Sequence, residues 1–243
     1  MKIVLFADGN VGQNIFRFLF ENYSSDLICV ITTVENSIYN FANNNNIKVA
    51  CFSDLEKSLD GVYFDYGVLA WWPKIINVSI ISRAKKGFIN THPSLLPYNR
   101  GKHYNFWAIV EEAPFGVSIH MVEKNVDTGP IIVQKTINYS WLDNGESLYN
   151  KAQNEMLNLF KDFYPSFRDG IFKLKYQDIS EGSFHKSSEL INASKIELDK
   201  KYLGRNILNL LRAKTFEGFQ GCWFEENGIK YEVTIKIRNL KNE

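Results

Sequence analysis

Short, almost wholly apolar runs recur through the first third of the chain. Each is followed by a polar stretch in which apolar residues return every three or four positions. Residues 2–7 (KIVLFA), 27–33, 47–51 and 66–70 read as strands buried on both faces, where no polar alternation is needed. Between them, 13–21 carries Ile15, Phe18 and Leu19 at helical spacing, 37–46 predicts a helix that the asparagines at 43–46 bring to an end, and 54–59 predicts one helical turn. Strand and helix in alternation predict an α/β fold with a doubly wound, mostly parallel, Rossmann-like sheet. Further on, 104–112 predicts a short helix with Phe106, Trp107 and Val110 apolar. Residues 115–122 alternate as a strand with Val117, Ile119 and Met121 on one side, and 130–137 predicts another strand. A long amphipathic helix is expected over 146–167, set by Leu148, Ala152, Met156, Leu159 and Phe163, with Pro165 kinking or ending it. From about 176 the composition turns to Ser, Lys and Glu and reads as a linker. A helix over 198–213 and a hairpin over 221–237, turning at 225–228, complete the chain. The expected organisation is therefore a main domain, 1–178, and a linker with a small helix-plus-hairpin subdomain, 179–243.

Length and charge narrow this picture a little. The chain has 243 residues, 45% of them hydrophobic and 23% charged, which suits a soluble globular protein with a real core. A net charge of +1 offers no general attraction for nucleic acid. No apolar run approaches the roughly 20 residues of a membrane helix, and the 2–7 run is too short for a leader. Cys29, Cys51 and Cys222 are odd in number and far apart, so free thiols in a reducing cytoplasm are expected rather than disulfides or a metal site.

The candidate chemistry gathers in residues 87–101, GFINTHPSLLPYNRG. Gly87, Phe88 and Ile89 suit a buried strand. Asn90 and His92 follow on one side of the extended chain, before Pro93 and Pro97 force it to loop over the sheet edge. An amide donor and an imidazole delivered to a sheet edge is how open α/β folds build sites. Asp127, in Asp127-Thr128-Gly129-Pro130, is the carboxylate expected to pair with His92. Taken singly, each residue has a plainer reading: a turn-forming Asn, a satisfied surface His, an Asx turn at Asp127. His120 falls out of phase with the apolar side of its strand and faces either the site or solvent; it is left unassigned. Gly9 and Gly12 invite a dinucleotide-binding reading, but the first Gly of G-x-G-x-x-G is missing and no acid ends the next strand, so a tight strand-to-helix turn over 8–12 is expected. Trp71 and Trp72 are adjacent and cannot both face one core, so one of them is expected to line a cleft or interface.

Asn90-x-His92-Pro93-Ser94-Leu95-Leu96-Pro97, followed by Arg100-Gly101 and by Asp127-Thr128-Gly129-Pro130, resembles the folate-dependent formyltransferases. The wording LLPYNRGKHYNFWAI looks most like the branch acting on dTDP-linked amino sugars, and the likeness runs from about residue 65 to 140 and faintly from Met1. It implies a formyltransferase domain in which Asn90 donates to the oxyanion, His92 is the general base and Asp127 holds the imidazole. A preorganised oxyanion donor is worth ~10²–10³ in rate, and a base near neutral pKa suits deprotonation of the attacking amine. The resemblance also implies N10-formyltetrahydrofolate as formyl donor, held by Trp72, Pro73, Lys74, Ile75 and Ile76 largely through backbone groups. Ser94, Leu95, Leu96, Pro97, Val122 and Asn125 would join them. Asp8 in the first turn would repel a phosphate, which argues against the glycinamide ribonucleotide branch.

The basic residues after the motif, Arg100, Lys102 and His103, are expected to meet a pyrophosphate, with Lys74 joining from the facing loop. Tyr104 or Phe106 would pack on sugar or base, or simply in the core. The implied activity is formylation of a dTDP-amino-dideoxy sugar, best matched by dTDP-4-amino-4,6-dideoxyglucose and next by the 3-amino isomer, in surface polysaccharide (O-antigen) synthesis. The alternative is a methionyl-tRNA formyltransferase-like enzyme or RNA-binding module. Leu211 to Phe216 resembles the start of the tRNA-binding domain, but only about sixty residues of mixed charge follow the linker. A non-catalytic folate-binding scaffold is disfavoured by the intact trio. Expected partners are thus the nucleotide sugar, folate and, through the aromatic C-terminal segment, a second copy of the chain in a homodimer, with no nucleic acid and no membrane.

Overall fold

The apolar runs do become the centre of a sheet. In the computed structural model, which describes residues 1–240, β1 (Ile3–Ala7), β2 (Leu27–Thr32), β3 (Val49–Cys51), β4 (Tyr66–Ala70) and β5 (Phe88–His92) pair in parallel. The two-residue β6 (Arg100–Gly101) lies outside this sheet; β7 (Gly116–Met121) and β8 (Ile131–Thr136) extend it to seven strands in the order β3-β2-β1-β4-β5-β7-β8. Every residue of β1 and β4 is buried, as strands covered on both faces must be. The exception to the parallel run is β7, which lies antiparallel to β5 with Asn90 opposite His120 and His92 opposite Ser118.

The helices follow their apolar stripes: α1 (Gly9–Tyr23), α2 (Ser37–Asn44), α3 (Leu55–Ser58), α4 (Val78–Ile81), α5 (Tyr104–Val110) and α6 (Gly145–Arg168). In α2 the Asn36 side chain caps the N-terminus by accepting from the Ile38 and Tyr39 amides. The stripe Leu148, Ala152, Met156, Leu159 and Phe163 on α6 is buried, each such residue contributing about 1.5–3 kcal/mol.

Four local expectations change. Residues 9–12 are already helical rather than a separate turn; Gly12 is needed because a Cβ there would stand 2.8 Å from the Ala70 carbonyl oxygen. Pro165 does not end α6, which runs on to Arg168. The Arg168 guanidinium donates to Asp26 at 2.8 Å and the Tyr164 hydroxyl donates to the same carboxylate at 3.1 Å, so a buried acid holds the last turn. The region read as a linker is fastened instead: β9 (Phe184–His185) pairs with β6 (Arg100–Gly101), and α7 (Glu189–Ala193) follows. The final helix, α8 (Gly204–Lys214), starts later than its apolar pattern suggested, and the hairpin consists of β10 (Cys222–Glu226) and β11 (Ile229–Val233). Asn227 and Gly228 turn it at φ of 51° and 78°, the left-handed pair that matches strand twist.

The chain forms two compact units that interleave in sequence: 1–92 with 118–134 and 153–177, and 93–117 with 135–152 and 178–243. The last three residues of the 179–243 segment lie outside the described range. Among the described residues no helix is long and apolar enough to cross a membrane, and no group of three or more His, Cys, Asp or Glu is placed to hold a metal ion.

Candidate functional site

Three of the residues singled out by the sequence meet in the first unit. β5 carries Asn90 and His92 to its end, and the loop after β7 returns Asp127 to them. His92 Nδ1 lies 3.4 Å from Asp127 Oδ2, and Asn90 Nδ2 lies 3.4 Å from Asp127 Oδ1. His92 is buried, and the Asp127 side chain is only 10% exposed, so their electrostatic coupling is poorly screened.

His120 is the fourth member. Cross-strand pairing sets it directly opposite Asn90, with its Nε2 3.2 Å from Asn90 Nδ2 and 3.5 Å from Asp127 Oδ1. Its Nδ1 is 2.8 Å from the Met121 carbonyl oxygen. The out-of-phase position of His120 was the sequence signal for it; which side that phase faced depended on a pairing that runs antiparallel.

The Asp127 loop is pinned by a residue without any sequence signal. Gln177 Nε2 donates to the carbonyl oxygens of Asp127 at 3.0 Å and Gly129 at 2.6 Å. Gly129 is obligatory, because a Cβ would come within 1.9 Å of the Met121 carbonyl oxygen. Asp127 itself adopts φ of 54°, the left-handed region that Asp tolerates better than most residues. On the other side of β5, the Thr91 hydroxyl accepts from the Trp71 amide at 2.9 Å and donates to the Leu69 carbonyl at 3.1 Å, tying the turn after β4 to the strand that bears the site.

The residues expected to hold folate are distributed as follows. Trp72 is buried edge-on to Phe6 and beside Phe52, so its ring belongs to the core and only its backbone is left for a ligand. Pro73, Lys74 and Ile75 are exposed outside any helix or strand, while Ile76 is buried; Lys74 rests over the Phe52 ring at 4.9 Å. Val122 is half-buried and its amide donates to the Phe88 carbonyl at 2.8 Å; Asn125 is exposed and its carbonyl accepts from the Thr128 hydroxyl at 3.2 Å. An exposed apolar face at Ile75 next to backbone outside regular structure fits a flat heteroaromatic ring read by main-chain groups.

In the second unit, Ser94 and Leu96 are buried and Leu95 half-buried; the Ser94 hydroxyl donates to the Tyr98 carbonyl at 2.7 Å. Pro97 packs so closely on Gly182 that a Cβ there would clash with the Pro97 carbonyl. The expected basic cluster is corrected here. Arg100 is buried, with Nε donating to the Ser183 carbonyl at 3.3 Å and an Nη to the Ile179 carbonyl at 3.4 Å. Two of its nitrogens thus turn toward the chain at 179–183. His103 is pushed toward neutrality by burial and by the neighbouring Lys102 and Lys214, so it brings no dependable positive charge at pH 7. Tyr104 stacks with Phe115 and Tyr149 and Phe106 is buried, the core-packing alternative for both. Lys102 is exposed.

Comparison with known proteins places this geometry in context. The family described as formyl transferase matches residues 1–162, and the N-formyltransferase dimerization C-terminal domain matches 189–239. A dTDP-4-amino-4,6-dideoxyglucose formyltransferase of Mycobacterium tuberculosis is 29% identical over 154 residues, which span 63% of this chain and 65% of that protein's length. A methionyl-tRNA formyltransferase of Mycoplasma capricolum is 24% identical over 259 residues, covering 100% of this chain and 80% of the relative. Among solved structures, the N-formyltransferase of Helicobacter canadensis, in complex with folinic acid and dTDP-3-aminofucose, superposes with a TM-score of 0.76 at 20% identity over 94% of this chain and 85% of that one.

Proposed function

Because the chain belongs to the formyl transferase family, we propose that it moves the formyl group of N10-formyltetrahydrofolate onto the amine of a dTDP-linked amino-dideoxy sugar. The observation that carries this reading is the meeting of Asn90, His92 and Asp127 in one buried cluster at the end of β5. Bound folate supplies an activated formyl carbon. The Asn90 amide donates to the oxygen that gains charge as the amine attacks. His92 takes the proton the amine gives up, and Asp127 at 3.4 Å holds the ring and favours the imidazolium. As the bond to the folate nitrogen breaks, the same proton is at hand for the leaving nitrogen. The backbone of 73–75 with Val122 and Asn125 would hold the folate.

dTDP-4-amino-4,6-dideoxyglucose is the acceptor we favour, on the strength of the mycobacterial relative's name; the 3-amino isomer is second, on the ligand of the Helicobacter structure. In the second unit, the exposed Lys102 is the residue we assign to the pyrophosphate. The likeness to a methionyl-tRNA formyltransferase over the whole chain supports a second reading, with tRNA as acceptor. The enzyme would work in the cytoplasm as a homodimer, for surface polysaccharide synthesis. Pairing through 189–239 is supported by the family match there and by the exposed Phe219, Ile229 and Tyr231 on or beside the hairpin. A light-scattering mass of one subunit with full activity would remove the dimer.

The test offers N10-formyltetrahydrofolate with each of three acceptors: the 4-amino sugar nucleotide, its 3-amino isomer and methionyl-tRNA. Mass spectrometry of the acceptor should show one formyl group gained by the first. Free dTDP should compete and should raise the melting temperature. If millimolar dTDP does neither, the acceptor is not a dTDP sugar; formylation of tRNA with a steep salt dependence would establish the second reading.

A further inference from the structure

We infer that His120 is a positioning residue for the reaction: it fixes which end of the Asn90 side-chain amide faces the reacting centre. The inference rests on the formyl-transfer reading above and assigns a role to a histidine outside the Asn90, His92 and Asp127 set.

The argument is one of donors and acceptors. A carbonyl oxygen can only accept, so the 2.8 Å approach of His120 Nδ1 to the Met121 carbonyl puts the ring proton on Nδ1. In the neutral ring Nε2 then carries a lone pair and can only accept. Without a proton, Nε2 cannot donate to Asp127 Oδ1, which lies 3.5 Å away. Its partner is the Asn90 amide nitrogen at 3.2 Å. Asn90 therefore faces two acceptors, the Nε2 lone pair and the Asp127 carboxylate 3.4 Å away. Rotating the amide by half a turn would set its oxygen against both. One N–H is held by His120. The second, on a bond at the long limit to Asp127, is the one that can exchange to the developing oxyanion.

Burial makes this preference firm. His120 is 2% exposed, so no water replaces the bond when it is lost. The pairing is built into the sheet, because Asn90 and His120 are directly opposed between β5 and β7, where side chains on one face stand within about 4.5–5.5 Å. Only an acceptor at the right depth can hold the amide without competing for the carboxylate.

The experiment compares His120→Phe, His120→Gln and Asn90→Ala with the double variant Asn90→Ala/His120→Phe, using N10-formyltetrahydrofolate and dTDP-4-amino-4,6-dideoxyglucose. His120→Phe keeps a ring and removes the acceptor; kcat should fall about tenfold, the size of one neutral hydrogen bond, with both KM values within twofold of wild type. His120→Gln, whose amide oxygen can accept at a similar depth, should recover most of that loss. In the Asn90→Ala background His120→Phe should cost nothing further, because the residue acts only through Asn90. Additive losses, or a Gln variant as slow as Phe, would overturn the inference. Independently of any acceptor, imidazole nitrogen shifts of ¹⁵N-labelled wild-type protein should show Nδ1 protonated and Nε2 bare; a protonated Nε2 would sink the assignment. Wild-type protein inactive with every acceptor would defeat the functional reading, while the nitrogen shifts would still decide the placement of His120.

Discussion

Two polar clusters in this molecule are made of the same kinds of side chain and behave differently. In the first unit a histidine, an asparagine and an acid, His120, Asn90 and Asp127, stand with His92 at separations of 3.2–3.5 Å. In the second unit His185 lies between Glu111 at 2.7 Å and Glu189 at 3.1 Å, stacked face to face on Trp107 at 3.7 Å. Glu111 also accepts from the Asn99 amide and the Ser183 hydroxyl, both at 2.8 Å. The second cluster gathers short bonds on the Glu111 and Glu189 carboxylates and serves to hold the 183–189 segment, together with the β6–β9 pairing. In the first the separations between side chains are longer, and the 3.4 Å approach of the Asn90 amide to Asp127 is one that can be exchanged for a bond to a reacting oxygen. Residue type alone does not separate a site from a clasp; the lengths of the contacts and the elements they join do.

That contrast can be broken most sharply at His92. His92→Asn should lower kcat by 10²-fold or more while the protein still folds, because general-base catalysis contributes about 10²–10⁴. Asn90→Ala should lose a comparable factor with KM little altered, since its bond strengthens in the transition state. Wild-type turnover in either variant would remove that residue from the mechanism.

The second cluster should respond in the opposite sense. Glu111→Ala strands the Asn99 amide, the Ser183 hydroxyl and one His185 nitrogen, and should cost about 2–4 kcal/mol in denaturant unfolding while the folded enzyme keeps most of its kcat. Unchanged stability with lost activity would reverse the assignment of the two clusters. Arg100→Ala comes next, at about 1–3 kcal/mol, because its guanidinium carries the carbonyls of Ile179 and Ser183. If it instead raised KM for the nucleotide sugar without loss of stability, Arg100 would return to the binding site.

The smallest effect concerns pH. The Lys186 amide and His185 hold the Glu189 carboxyl below its ordinary value of 4.5. A depressed folded-state pKa means the contribution is complete above the unfolded value and is lost as pH falls through the folded one. Melting temperatures of wild type and Glu189→Gln should therefore differ slightly near neutrality and converge in acid, once pH has fallen below the depressed folded-state value. A difference that persists in acid would mean that Glu189 acts through packing rather than charge.

Much of this was written in the chain itself. Apolar runs of strand length, with helical stripes between them, are enough to call for a mostly parallel sheet covered by helices, because both faces of such strands must be buried. The spacing of Asn90 and His92 before two prolines likewise places both on one side at a sheet edge. What the sequence could not determine depended on partners distant along the chain. The role of His120 waited on β7 running antiparallel to β5, which sets residue 120 beside residue 90. That Arg100 would turn two of its nitrogens to the carbonyls of Ile179 and Ser183 depended on a segment some eighty residues away. Trp72 turned inward onto Phe6 and Phe52, where the adjacent tryptophans alone could not say which would. Local pattern reports which groups must be buried; the tertiary structure decides which buried polar groups are satisfied, and so which of them are left to do chemistry.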